Sequence, residues 1–299
     1  MTLATINLQG LLVRSVAIIS LAGFPLASSM AQSLNAFGVP TEKISNPAAN
    51  VVAAAGSRGQ GWLGQGRSEV IARHGMVATS DPIAAQAGLE ILRGGGNAID
   101  AAVAAAAVLD VTSQNDTGIA GDLFALVWSA QDKKLYALNS AGWAPARWTP
   151  EYFKEDLGVE RVPGTGVNAA TVPGAISGYD ALLNRFGTMG FEETFARAVQ
   201  VADEGWGQAE RRHQDISSVV EKLRGDADSA ATFLNDGEVP PLYSIIRNPQ
   251  LADALRLIQE QGRDAFYKGP IADAIVAKMQ ADGGVMTHAD LAEFESEWI

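Results

Sequence analysis

Two aspartates, Asp116 and Asp122, flank the turn Gly118-Ile-Ala-Gly121, and a carboxylate pair at that spacing would suit acid/base chemistry. Asn and Asp are also ordinary turn residues that bond their own backbone, and no sequence partner raises either carboxylate to a catalytic acid. The same glycines, and Gly94-Gly95-Gly96 upstream, are backbone of the kind that cradles phosphate. Neither cluster follows a strand and opens a helix as G-x-G-x-x-G, and neither carries a P-loop lysine. A helix stop accounts for the first cluster and a tight turn into a strand for the second. Ser113 and Ser140 lack the G-x-S-x-G elbow of an α/β-hydrolase nucleophile. The chain has no cysteine, which removes disulfides, thiol nucleophiles and thiolate metal sites together. His74, His213 and His288 are its only histidines, and no two stand at helical i, i+4 spacing, so a zinc site is disfavoured. Arg211-Arg212-His213, beside Glu210 and Asp215, reads as a solvated charged face or a small binding patch. Trp143, Trp148, Tyr152 and Phe153 either line a ligand pocket or pack as core. Read residue by residue, these groups locate loops without naming a reaction.

The elements that must position them follow from periodicity and caps. Asp81-Pro82 supplies an N-cap and a first-position proline for a helix from Pro82 to about Arg93, with Ile83, Ala87 and Ile91 on one face. Asn97 caps a second helix, Ala98 to about Leu109, whose first turn carries Asp100 and whose small side chains suit close burial. Gly75-Met-Val-Ala-Thr79 is a short strand candidate. Leu123–Ser129 and Lys134–Asn139 read as a β-hairpin, and the first of these strands is apolar almost throughout, the pattern of a sheet covered on both faces. Beyond it the chain is mostly helical, with helix starts near Pro173, Pro249 and Pro270 and a capping box at Thr287-His-Ala-Asp290. The sum is an α+β layer architecture.

The first 31 residues carry one charge, Arg14, then the apolar run Ser15–Ala27 and the small-x-small site Ser29-Met-Ala31, which reads as a cleaved signal peptide over residues 1–31. Residues 32–70, rich in Asn, Gly, Ala, Gln and Ser, read as a loosely ordered extension, and residues 71–299 as the folded part. The mature product is expected to be periplasmic or secreted, with no membrane attachment after signal cleavage. A net charge of −12 and a pI near 4.7 disfavour a nucleic-acid partner. The few strand candidates and the ending Glu297-Trp298-Ile299 suggest a truncated polypeptide, because sheets of about 5–6 strands are usual.

Longer stretches carry more. Met76-Val-Ala-Thr-Ser-Asp-Pro-Ile-Ala84 and Gly88-Leu-Glu-Ile-Leu-Arg-Gly-Gly-Gly-Asn-Ala-Ile-Asp-Ala-Ala-Val103 resemble the signature segment of the γ-glutamyltransferase (γ-glutamyltranspeptidase) family. Gly118–Trp128, Ala144-Pro-Ala146, Ala169–Gly178, Arg185–Met189, Ala265–Gly269 and Gly283–Leu291 follow in that family's order, so the resemblance covers about residues 74–299. It implies an N-terminal-nucleophile (Ntn) hydrolase, an αββα four-layer sandwich made as a precursor that cuts itself into a large and a small subunit. This chain would be the incomplete, large-subunit portion. The nucleophilic threonine would open the small subunit beyond Ile299, leaving no catalytic residue here, so the chain alone would be inactive. The implied partners are a small-molecule amide or γ-glutamyl substrate and the small subunit from the same precursor; no metal or organic cofactor is implied.

Two departures bear on substrate. Relatives acting on γ-glutamyl compounds carry an arginine for the substrate α-carboxylate just before the Ala-Pro-Ala element, and that place reads Ala141. Gly121-Asp-Leu-Phe124 stands where transpeptidases have consecutive glycines. Both look like the amidohydrolase and acylase branches. The resemblance points to Ala141, Gly142 and Trp143 as the wall of an acyl pocket, with Asp122 supporting the neighbouring turn. Arg147 is either a substitute cation or a surface residue. The competing reading is a non-catalytic secreted binding protein that kept only the large-subunit scaffold; an unrelated nucleotide-binding α/β protein is a third.

Overall fold

The computed structural model describes residues 70–299, and His74–Ile299 forms one compact unit. The segment read as a signal peptide, and all of the extension but Val70, lie outside the described residues.

Helix α1 (Pro82–Arg93) begins where Asp81 Oδ1 accepts the Ile83 and Ala84 amides, and it stops at Gly94, followed by Gly95 at φ +97°. Helix α2 (Ala98–Thr112) opens with a full capping box, the Asn97 side chain taking the Ile99 and Asp100 amides while the Asp100 side chain takes the Asn97 amide. It runs three residues past the expected end because Asp110 has a distant partner, Tyr179, and so need not leave the helix. Its small residues Ala104 and Ala107, with Val103, Val108 and Val111, are buried at the centre of the core.

The hairpin forms as read. Strand β1 (Leu123–Ser129) pairs antiparallel with β2 (Lys134–Ser140), from Leu123 opposite Ser140 to Ser129 opposite Lys134. Strand β5 (Glu297–Trp298) adds to β2, with Leu138 opposite Trp298. The expectation of a sheet covered on both faces is not met within the described residues. Leu123, Ala125 and Val127 turn into the core, whereas Phe124, Leu126 and Trp128 are 72%, 74% and 62% exposed. Among the described residues helices lie on one face only. Nor does Gly75–Thr79 form a strand, because the segment finds no ladder partner.

Helix α3 (Ala175–Phe186) packs behind the hairpin, so closely that a side chain at Gly178 would lie 2.9 Å from Leu123. Helix α4 (Phe191–Glu204) and helix α8 (Pro249–Gln261) complete the core with Phe195, Ala198, Leu255 and Ile258, each large apolar side chain contributing about 1.5–3 kcal/mol by leaving water. Between them lie β3 (Trp206–Gly207), α5 (Glu210–Ser218), α6 (Val220–Arg224), α7 (Ala227–Phe233) and β4 (Ile245–Ile246), β4 pairing with β3. The chain closes through α9 (Arg263–Tyr267), α10 (Pro270–Ala281) and α11 (His288–Ala292) before β5. Pro249 and Pro270 start their helices, Pro173 precedes the Gly174 cap, and Thr287 forms the capping box with Asp290. The Arg185 guanidinium lies 4.4 Å from the ring centroids of both Tyr136 and Trp298, fastening β5 to the hairpin by cation–π attraction.

Candidate substrate-binding site

Three segments far apart in sequence meet at one end of the hairpin: the turn before β1, the stretch after β2, and the approach to α3. The Gly121 carbonyl accepts the Gly174 amide at 2.9 Å and the Ala175 amide at 2.8 Å. The Ser177 amide is donated to Tyr267 Oη at 3.1 Å, and that hydroxyl donates in turn to the Pro173 carbonyl at 2.8 Å. Gly174 has no side chain to cap α3, so these remote groups take the amides that a helix start leaves unpaired. The Gly174, Ala175 and Ser177 amides are thus already bonded within the protein, which removes them as a phosphate cradle.

The stretch after β2 crosses the 172–174 backbone almost in contact. A Cβ at Gly142 would lie 1.7 Å from the Val172 carbonyl oxygen, and one at Gly174 would lie 1.9 Å from that of Ser140. Only glycine fits at either point. The Val172 amide donates to the Trp143 carbonyl at 2.9 Å, the Gly142 amide to Asp122 Oδ1 at 2.9 Å, and the Ala141 amide to Asn139 Oδ1 at 3.0 Å. One residue set further along, Asp290 Oδ1 takes the Ala146 amide at 2.7 Å while Oδ2 closes the Thr287 cap. Asp122, Ala141, Gly142 and Trp143 thus stand together. Asp122 is exposed, Ala141 and Gly142 half-buried, and Trp143 exposes part of its indole while its ring meets Phe294 edge-on at 5.0 Å.

The remaining groups singled out in the sequence go elsewhere. Asp116 does not share the work of Asp122; it lines a separate cleft of about 390 Å³ with Arg211, Arg212 and Asp215. Arg212 bonds Asn115, and Asn115 bonds Asp215 at 3.3 Å. Trp148, Tyr152 and Phe153 pack on one another, at 5.5 and 5.4 Å, while Trp143 turns away to Phe294. Arg147 faces the Tyr152 ring at 6.0 Å. Beneath the turn, burial pushes the Asp110 carboxyl up to about 6, against hydrogen bonds from Thr117 and Tyr179 that favour its charged form. Among the described residues no cluster of histidines and carboxylates is arranged to hold a metal ion.

Sequence reasoning missed Asn139, Asp290, Phe294 and Ser296 as builders of this edge. The capping box at Thr287 marked Asp290, but only its second oxygen, reaching Ala146, belongs to the site. Gly142 and Gly174 are the remaining sequence signals of the crossing, and each reads equally well as an ordinary loop glycine.

Helices laid on one face of an antiparallel hairpin, with the crossing at its end, make an α+β fold, and the solved structures it superposes on place it in the Ntn-hydrolase class. The fold superposes on γ-glutamyltranspeptidase from Helicobacter pylori with a TM-score of 0.74, at 29% identity, over 77% of this chain and 66% of that one. It superposes on a cephalosporin acylase from Bacillus halodurans with a TM-score of 0.71, at 35% identity, over 78% of this chain and 46% of that one. Residues 84–299 match the γ-glutamyltranspeptidase family, and the chain belongs to it. A glutathione hydrolase proenzyme from Bacillus subtilis (strain 168) is 34% identical over 230 residues, covering 75% of this chain and 39% of the relative. The chain spans about two-fifths of the length of the curated relatives it matches.

Proposed function

We propose that this chain is the large-subunit part of an exported Ntn amidohydrolase that cleaves γ-glutamyl or related amide bonds. The nucleophile would be a threonine in the length that the relatives have and this chain does not span. Its hydroxyl attacks the amide carbonyl while its own α-amine takes the proton. The amine of the substrate then leaves, and water or a second amine removes the acyl group from the threonine oxygen. The observation that carries this reading is the crossing of Ser140–Trp143 with Val172–Gly174, braced by Asp122, in a chain of this family. Ala141, Gly142 and Trp143 are the wall of the acyl pocket, and Asp122 fixes the turn beside it. The outward apolar row Phe124, Leu126 and Trp128 supports a second sheet from the small subunit packed on this one.

At the wall, Ala141 offers no cation and Trp143 with Phe294 offers aromatic surface, which favours an acyl group held by apolar contact over one held by its α-carboxylate. The cephalosporin acylase likeness supports the same preference. The intact mass of the product of the full reading frame tests the precursor: two chains are expected, the smaller beginning with threonine. A single stable chain would support the alternative, a secreted binding protein without catalysis. Ala141→Arg in the full-length protein tests the wall. Turnover of a γ-glutamyl anilide should rise, and no gain at all would remove Ala141 from the pocket.

A further inference from the structure

Arg263, the first residue of α9, lies behind the crossing with its guanidinium 4.5 Å from the ring centroid of Tyr267. One terminal nitrogen donates to the Phe294 carbonyl, and Nε donates to Ser177 Oγ at 3.4 Å. Three hydroxyls then run from Ser177 to the wall: Ser177 Oγ to Ser296 Oγ at 2.8 Å, and Ser296 Oγ to Ser140 Oγ at 2.7 Å. Ser140 Oγ ends the run on the Gly174 carbonyl at 2.7 Å.

The direction of every bond in this run is fixed by counting protons, because a serine hydroxyl has one and a guanidinium can only donate. Ser140 gives its proton to the Gly174 carbonyl, so it accepts from Ser296. Ser296 has then spent its own and accepts from Ser177. Ser177 has spent its own in turn, and its oxygen receives the Arg263 Nε proton. The chain is one-way, from a permanent cation to a backbone carbonyl of the crossing, and each bond polarises the next.

A second arm leaves the same guanidinium. By holding the Phe294 carbonyl, Arg263 fixes the ring that stacks on Tyr267 at 5.9 Å and meets Trp143 edge-on. The two arms arrive at the two ends of one short stretch, Ser140 and Trp143. We propose that Arg263 is a positioning residue for the acyl pocket, holding both ends of the Ser140–Trp143 wall through the Ser177–Ser296–Ser140 hydroxyl chain and through Phe294. This rests on the reading of that wall as the acyl pocket. A wall that touches the acyl group equally before and during reaction contributes uniform binding, so loosening it raises KM and leaves kcat nearly alone.

The test uses the full-length protein labelled with 5-fluorotryptophan, the Trp143 resonance assigned by its loss in Trp143→Phe. In Arg263→Gln both arms are cut, and the Trp143 ¹⁹F resonance should shift or broaden while the other tryptophan resonances hold. Arg263→Lys keeps the charge but offers one nitrogen in place of a fork, so it should restore only part of the effect. Ser296→Ala deletes a single hydroxyl and interrupts the chain in the middle; should Arg263→Gln fail to fold, this variant carries the test. Its KM for amide substrates should rise about tenfold with kcat within about twofold of wild type. An unmoved Trp143 resonance in Ser296→Ala and in whichever Arg263 variants fold overturns the proposal. A moved resonance with KM unchanged in every variant overturns instead the reading of the wall as the acyl pocket, and with it the substrate-binding role assigned to Arg263.

Discussion

At the start of α2 a single carboxylate ties distant segments together, whereas at the crossing of Ser140–Trp143 with Val172–Gly174 no buried charge enters the wall itself. Asp100, wholly buried, receives the Asn97 amide at 2.8 Å, the Thr188 amide and hydroxyl at 2.9 and 2.7 Å, and the Met189 amide at 3.2 Å. Burial alone would push its carboxyl up, but these donors together hold it below the usual aspartate range. The crossing works by subtraction: two glycines let backbones meet, hydroxyls and amides stitch them, and the exposed Asp122 braces the Gly142 amide from outside. A charge that gathers donors tolerates a neighbour of slightly different size. A backbone-on-backbone contact tolerates nothing added. The first device suits a scaffold, and the second suits a wall whose shape decides what it binds.

That contrast is broken most severely at Gly142. In Gly142→Ala the new methyl group would sit inside a backbone carbonyl that no rotamer change can move, so the two segments must separate. The expected loss is about 3 kcal/mol or more, read as a shift in the urea unfolding midpoint. Gly118→Ala, with open space around its Cβ, is the control and should stay within about 0.5 kcal/mol of wild type. Equal behaviour of the two variants would mean that the crossing is looser than its geometry.

Asp100→Ala should come next, at about 2–3 kcal/mol, because it leaves the Thr188, Met189 and Asn97 donors without an acceptor. Asp100→Asn keeps one acceptor oxygen and should lose less. The linkage has a definite sign: the folded pKa lies below the unfolded one, so this contribution is present above about pH 4 and fades as pH falls through the folded value. A wild-type stability unchanged from pH 5 down to pH 2, beside an Asp100→Asn variant that tracks it, would deny the carboxylate its role.

The two regions also differ in how far the sequence alone revealed them. Asn97, Asp100 and the glycines before them are local signals, and they give the start of α2 to the residue. The end of α2 lies three residues beyond what local signals give, because the partner of Asp110 is 69 positions away, in α3. An all-apolar strand hides its alternation, so the sequence does not say that Phe124, Leu126 and Trp128 face away from the helices of this chain. Ala141, Gly142 and Trp143 came from family resemblance, since no spacing rule places them opposite Val172. Arg263 and Ser296 carried no sequence signal at all; their role exists only where α9, β5 and the crossing converge.

Asp110 stands at the seam of the two regions and sharpens the comparison with the smallest effect. It sits on the same helix as Asp100, but its donors are two hydroxyls, Tyr179 at 2.9 Å and Thr117, and not a set of amides. Burial therefore wins, and the carboxyl titrates at about 6 in the folded chain against 3.8 ordinarily. As pH rises through that window the unfolded chain releases its proton first, so stability falls between about pH 4 and pH 6 and the charged carboxylate is a cost at neutral pH. Asp110→Asn removes the charge while an amide oxygen still accepts from Tyr179 and the amide nitrogen can donate to the Thr117 oxygen. Weaker acceptance by the amide offsets part of the gain, so the variant should exceed wild type by about 1 kcal/mol at pH 7.5. The advantage should close as pH approaches 4, measured by urea midpoints at both values. A difference that is the same at both would mean that Asp110 is already neutral at pH 7.5 or never desolvated. Thr117 opens the turn whose Gly121 carbonyl receives the Gly174 and Ala175 amides. Asp110 therefore ties a pH-dependent carboxylate to that turn, while the glycine-on-carbonyl contacts of the wall carry no charge.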